Sequence, residues 1–118
     1  MDGELSAVFL ALADPSRRQV MELLSRGPRR AGELARSVGS SPAAMSRHLK
    51  MLLRVGLVVD ERIEDDARVR QFRLRPQAME PAADWWAEVM AAWRVQLESY
   101  QRHVEQRVSQ QMSERREE

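Results

Sequence analysis

The side chains best placed to do chemistry in this 118-residue chain lie at 42–55, where Arg47, Lys50 and Arg54 recur beside Ala43 and Ser46. At about 100° per residue on a helix, Met45, Leu49 and Leu52 gather on one face, and Ala43, Ser46, Arg47, Lys50 and Arg54 on the other. The apolar face must be buried. The second face is small near the helix start and cationic beyond it, which is what entry into the major groove of double-stranded DNA requires. Small residues let the backbone approach the base edges, and an arginine fork can hold guanine O6 and N7 together. Arg47 is placed for that readout. Ser46, Lys50 and Arg54 suit phosphate contacts, which orient a protein without reading sequence. Taken alone, such a helix is equally well a solvated basic face.

The neighbouring segments favour the groove reading. Leu5, Val8, Phe9 and Leu12 recur at helical spacing and predict a first helix over 4–13. Asp14-Pro15 is an N-cap followed by proline at the first helical position. It starts a second helix whose apolar face is Val20, Leu23 and Leu24 and which ends at Gly27-Pro28. Residues 31–38, around Leu34, Ala35 and Val38, predict a short third helix. Gly39-Ser40-Ser41-Pro42 then supplies a left-handed turn, an N-cap at Ser41 and a proline start for the helix over 42–55, and Gly56 stops it. Two helices joined by a tight glycine-containing turn have the form of a helix-turn-helix.

Beyond Gly56 the period changes. Runs at 57–63 and 68–74, separated by Glu64-Asp65-Asp66-Ala67, read as a hairpin closed by Arg75-Pro76. Pro81 opens a last helix reaching to about Gln111, roughly 45 Å long, and the polar tail 113–118 is expected to be disordered. The fold class is therefore mainly α with a small β-hairpin: a winged helix-turn-helix over 1–76 and a C-terminal dimerisation helix over 77–112.

Composition narrows the function further. There is no cysteine, which excludes disulfides, thiolate zinc sites and thiol catalysis within this chain. The net charge of +1 conceals an asymmetry: residues 17–54 carry 9 basic and 2 acidic side chains, the footprint of a polyanion binder. Of the 19 basic residues 18 are arginine, so arginine abundance alone carries no functional weight. No apolar run approaches the roughly 20 residues of a membrane span, and the acidic start Met1-Asp2-Gly3-Glu4 lacks the layout of a secretory signal. A cytoplasmic protein is expected. No nucleophile–base pair, phosphate loop or carboxylate dyad in a pocket-forming context occurs, so no enzymatic reaction and no cofactor are expected.

Five fragments in order carry a family resemblance. They are Phe9-Leu10-Ala11-Leu12-Ala13-Asp14-Pro15-Ser16-Arg17-Arg18, Gly32-Glu33-Leu34-Ala35, Ser46-Arg47-His48-Leu49, Gly56-Leu57-Val58 and Phe72-Arg73-Leu74. Over residues 4–100 the chain resembles the ArsR-type (ArsR/SmtB) winged-helix repressors. The resemblance implies a dimeric bacterial transcription factor, usually a repressor. Such a protein binds an imperfect inverted repeat near its own promoter and releases it on sensing a signal. It places Ser41, Ala43, Ala44, Ser46, Arg47, His48 and Lys50 nearest DNA, with Arg62, Arg68 and Arg70 of the wing beside the phosphates. The acidic tip at 64–66 departs from the basic wings of the family and should be repelled by phosphate. His48, at the edge of the two helix faces, reads either as a DNA contact or as a partly packed, locally bonded side chain.

The resemblance also bears on metals. Family members that sense arsenic or cadmium keep cysteines where this chain has Arg30, Gly32 and Ala35. The zinc and nickel pattern of the last helix falls on Asp84, Trp86, Leu97 and Tyr100, where only the aspartate is a ligand. One remaining imidazole, His103, does not make a transition-metal site, so a subgroup that senses no metal is expected.

The last helix has another use. Met79, Ala82, Trp86, Val89, Met90, Trp93, Leu97, Tyr100, Val104 and Val108 form one stripe, longer than a core of about 75 residues can cover. The excess predicts a homodimer through Trp86, Val89, Trp93, Leu97, Tyr100 and Val104, helped by Leu5, Val8 and Phe9. Twofold symmetry would then offer two recognition helices to a palindromic site. Trp85, Trp86 and Trp93, with Met90, read first as interface packing and second as a pocket for an unknown small-molecule effector. Against the DNA-binding reading stands a winged-helix module that docks a partner protein through its last helix. The basic face of 42–55 distinguishes the two, since protein docking does not need it.

Overall fold

Asp14 and Ser41 each start a helix in the same way, and the rest of the fold is spaced from these two points. In order, the computed structural model contains α1 (Gly3–Leu12), α2 (Pro15–Leu24), β1 (Arg29–Arg30), α3 (Ala31–Val38), α4 (Pro42–Arg54), β2 (Val58–Arg62), β3 (Arg70–Leu74), a 3-10 turn (Pro76–Met79) and α5 (Glu80–Glu117). It describes residues 3–63 and 69–117. The expected turn at 64–67 and the wing cation Arg68 lie outside the described residues.

The Asp14 carboxylate accepts from the Arg17 backbone N–H at 3.1 Å, and Pro15 takes the first helical position, where its missing N–H costs nothing. Ser41 Oγ likewise accepts from the Ala44 N–H at 3.1 Å, ahead of Pro42. Between α3 and α4 the chain reverses at Gly39, whose φ of 74° lies in the left-handed region that glycine enters without a steric penalty. The Gly39 N–H reaches the Arg36 carbonyl (3.3 Å) and the Ser40 N–H the Ala35 carbonyl (2.9 Å), a Schellman closure of α3. Gly56 repeats it at the end of α4: its N–H meets the Leu53 carbonyl and the Leu57 N–H the Leu52 carbonyl. Leu52 and Leu57, the two apolar positions that accompany such a closure, are both fully buried.

The hairpin pairs antiparallel with Val58 opposite Leu74 and Arg62 opposite Arg70. One strand lies outside the sequence reading. After Pro28 the chain is extended for two residues, and β1 pairs with the other edge of β3, Arg29 opposite Phe72, giving a sheet in the order β1-β3-β2. A two-residue strand has no period to detect. It forms because the second edge of β3 offers unpaired backbone groups that a neighbouring extended segment satisfies.

The chain divides into two compact units, Met1–Ala82 and Ala83–Glu118. The core of the first is wholly apolar: Val20 of α2, Leu34 of α3, Met45 and Leu52 of α4, and Leu57 and Val58 at the start of the hairpin are fully buried, with Phe72 beneath the sheet. No polar or charged side chain is buried among the described residues. Position in this unit is therefore set by shape and by the caps, not by buried polar pairs. The order of α3, turn, α4 and hairpin is that of a winged helix.

The second unit belongs to α5, 38 residues or about 57 Å at 1.5 Å per residue. It begins at Glu80 and continues through Glu117, so the segment 113–117, expected to be disordered, is helical. After Pro81 the sequence holds no proline or glycine. Glu, Gln and Arg are good helix formers, and Arg115 and Arg116 lie in the last turn, where the helix dipole favours cations.

Candidate nucleic-acid interface

Helix α4 shows the two faces that its sequence demands. Met45, Leu49 and Leu52 are buried, and Ala43, Ser46, Arg47, Lys50 and Arg54 are exposed. Ala44 and His48 sit half-buried between the faces. Among the described residues no carboxylate lies within 4 Å of Arg47, Lys50 or Arg54. Three unneutralised cations therefore line one side of a rigid rod whose other side is locked in an apolar core. At the rod's start Ser41 Oγ is occupied by the cap, Ser40 Oγ donates to the Ser41 carbonyl, and the first-turn N–H of Ala43 has no partner among the described residues. Free amides and the helix dipole at this end favour an anion.

His48 is held from behind. Its Nδ1 lies 3.3 Å from a terminal nitrogen of the Arg17 guanidinium, and the same guanidinium donates to the carbonyls of Leu10 and Ala11 at the end of α1. A guanidinium has no acceptor, so Nδ1 must accept and the neutral ring carries its proton on Nε2. Local bonding thus accounts for Nδ1 and leaves Nε2–H as the donor. Arg17 was not among the candidate residues, although Asp14-Pro15-Ser16-Arg17 signals it: the residue three beyond an N-cap lies over the cap. The Asp14 carboxyl is held below its ordinary value, first by the hydrogen bond from the Arg17 backbone N–H, with desolvation opposing and the Arg17 charge assisting.

The wing departs further from a basic surface than its tip alone indicates. Arg70 pairs with Asp60 at 3.5 Å, and Arg73 with Glu61 at 3.3 Å, while Gln71 Nε2 also donates to Glu61. Of the expected wing cations, Arg70 is ion-paired with Asp60, and Arg62 has no carboxylate within 4 Å among the described residues. Asp60 and Glu61 were overlooked because each ion-pairs diagonally, with a residue two positions from its opposite neighbour, and that offset appears only once the register is known. A cleft of about 210 Å³ separates α4 from the hairpin, with Ser46 and Lys50 on one wall and the Asp60–Arg70 pair on the other.

The candidate dimer residues fall into two groups. Leu5 and Val8 are 6% and 5% exposed, already consumed by the core of their own unit, whereas Phe9 keeps 40% of its surface open. Along α5, Trp86, Val89, Trp93, Leu97, Tyr100 and Val104 are all exposed, and Val108 and Met112 continue the series. Trp85 and Met90 are half-buried, and the rings of Trp85 and Trp86 lie 6.3 Å apart, tilted by 41°. Among the described residues no three His, Cys, Asp or Glu side chains are grouped to hold a metal ion, and no helix is long and apolar enough to cross a membrane.

Comparison with known proteins agrees with this geometry. Residues 14–59 match the family described as "bacterial regulatory protein, arsR family". The HTH-type transcriptional regulator Rv2034 of Mycobacterium tuberculosis is 50% identical over 50 residues, which are 42% of this chain and 47% of that protein. The matched segment thus spans about half the length of that curated relative. The crystal structure of an ArsR family transcriptional regulator superposes with a TM-score of 0.68 at 31% identity, covering 77% of this chain and 91% of the other. The solution structure of the homodimeric winged helix-turn-helix DNA-binding domain of Mb0332 from Mycobacterium bovis gives a TM-score of 0.56 at 28% identity, covering 80% and 82%.

Proposed function

The chain belongs to the ArsR family of bacterial regulatory proteins, and from that premise we propose that it is a cytoplasmic, homodimeric transcriptional repressor that binds an inverted-repeat operator through α4. The observation that carries this reading is the exposed, unneutralised row Arg47, Lys50 and Arg54, set opposite the buried Met45, Leu49 and Leu52. Arg47 reads a guanine. Lys50, Arg54 and the free first-turn amide of Ala43 hold phosphates, with Ser41, Ala44, Ser46 and the Nε2–H of His48 lining the same approach. Arg62 and Arg68 add to the phosphate contacts from the wing. Arg70, paired with Asp60, adds little.

The dimer rests on α5. A helix of this length cannot keep Trp86, Trp93, Leu97, Tyr100 and Val104 in water when a second copy can cover them. The homodimeric Mycobacterium bovis domain supports the same assembly. The three tryptophans belong to this interface, and Phe9 supplies further apolar area. Repression follows when two α4 helices occupy consecutive major-groove faces over a promoter, the chain's own included, until a signal releases them.

Selection of bound sequences from a random duplex library, followed by footprinting upstream of the protein's own gene, tests the reading. We expect half-sites related by twofold symmetry, with centres about 34–36 Å apart or a multiple of that. A protein-docking module would use the same exposed α5 face. In that case random duplex DNA at low salt produces no anisotropy change, and the repressor reading fails.

A further inference from the structure

A second concave site lies within the first unit, at the C-terminal end of α4. It has a volume of about 490 Å³, within the range of small-molecule sites. Val55 at the end of α4, Ala78 and Pro81 supply apolar wall above the buried Leu5 and Val8 of α1, and the site also takes in Arg54, Arg75 and Glu4. Among the described residues neither arginine has a carboxylate within 4 Å.

Arg75 is positioned rather than loose. Its backbone N–H donates to the Leu57 carbonyl at 2.9 Å, and one terminal nitrogen of its guanidinium lies 3.3 Å from where a Cβ on Gly56 would stand. Gly56, required by the left-handed turn that ends α4, thus also makes room for the guanidinium. The hollow is mixed in character, an apolar wall bordered by two guanidinium forks that have no carboxylate within 4 Å among the described residues. Its chemistry names the guest: an apolar body for the wall and a planar anion for the forks.

We propose that this site binds an amphipathic monocarboxylate of medium chain length. Arg54 gives the binding a consequence, which rests on the regulatory reading above. It is one of the three unneutralised cations of α4. A carboxylate that pairs with Arg54 removes that charge from the phosphate-contacting row, so the ligand weakens DNA binding without touching DNA. By linkage, DNA weakens the ligand to the same extent. This places the effector at the end of α4, not at the Trp85, Trp86, Met90 and Trp93 cluster.

Sodium octanoate, octan-1-ol and octylamine are titrated calorimetrically into the full chain without DNA. We expect one octanoate per subunit, bound at least about tenfold more tightly than the alcohol or the amine, as charge-assisted hydrogen bonds require. Arg75→Gln, which lies outside the DNA-contacting set, removes that preference. Ala78→Leu, whose site also lines the hollow, blocks all three compounds and serves if Arg75→Gln does not fold. Equal binding of octanoate and octan-1-ol, wild-type affinity in either folded variant, or no binding of octanoate overturns the site. A second arm measures anisotropy on the selected operator. Saturating octanoate should lower affinity and reduce the salt slope by about 0.9 per subunit. Octanoate that binds and leaves the slope unchanged overturns the Arg54 coupling. A chain that binds octanoate but no DNA overturns the repressor reading and leaves the carboxylate site standing.

Discussion

Replacing Arg47 with alanine should separate base reading from phosphate attraction. Arg47 is exposed and has no carboxylate within 4 Å among the described residues, so its removal breaks no ion pair there and opens no cavity. The fold should be unaffected to within about 0.5 kcal/mol, the usual range for such a surface change. A bidentate arginine–guanine contact is worth about 1–3 kcal/mol of discrimination. A twofold dimer makes the contact twice, so the operator should lose about 2–6 kcal/mol of specificity, about thirtyfold to about twenty-thousandfold in the ratio of operator to scrambled duplex. The control is Lys50→Ala. Loss of a phosphate contact weakens both duplexes alike and lowers the salt slope by about 0.9 per subunit. Fluorescence anisotropy of both variants on both duplexes, at three or more salt concentrations, gives the two quantities separately. An Arg47→Ala variant that keeps the wild-type ratio refutes the assignment of Arg47 to a base, whatever its absolute affinity.

Other perturbations test the remaining parts. Asp60→Asn frees Arg70, so the variant should bind random duplex more tightly at low salt, with a slope steeper by about 0.9 per subunit; an unchanged slope means that the wing stays clear of the phosphates. Asp14→Ala removes the α2 cap and should cost about 1 kcal/mol in chemical denaturation at neutral pH. Because the folded carboxyl titrates below its ordinary value, its contribution is complete above the unfolded value of about 3.9 and is lost as pH falls through the lowered folded one. Wild type and Asp14→Ala should therefore converge in strong acid, and a gap that widens there contradicts the cap geometry. Leu97→Glu places a charge on the exposed face of α5. Sedimentation should show a monomer whose helical circular dichroism over the first unit persists, and operator affinity should fall toward that of one half-site. A dimer that survives the substitution argues against pairing through this face.

Most of the helical scaffold can be read directly from the chain. Asp14-Pro15 and Ser41-Pro42 act within one turn of themselves, and Gly39 and Gly56 satisfy backbone geometries that few other residues adopt. The two faces of α4 follow from the helical period alone, because Met45, Leu49 and Leu52 leave no other side to bury. The parts that escaped depend on partners distant in sequence. Strand β1 exists only because β3 has a second edge, and the Arg17–His48 contact joins residues 31 apart. Asp60 and Glu61 look like ordinary wing residues until register sets them beside Arg70 and Arg73.

The residue types and their local spacing determined where the helices begin and end and which face of α4 is cationic, since capping, φ preference and period act over three or four residues. Tertiary structure alone decided which of the cations have a carboxylate partner and where a hollow is left, because ion pairing and packing are settled between segments that the chain order does not bring together. Arg47 and Arg70 are the same residue on exposed elements, yet among the described residues only Arg70 of the two has a carboxylate beside it, 3.5 Å away.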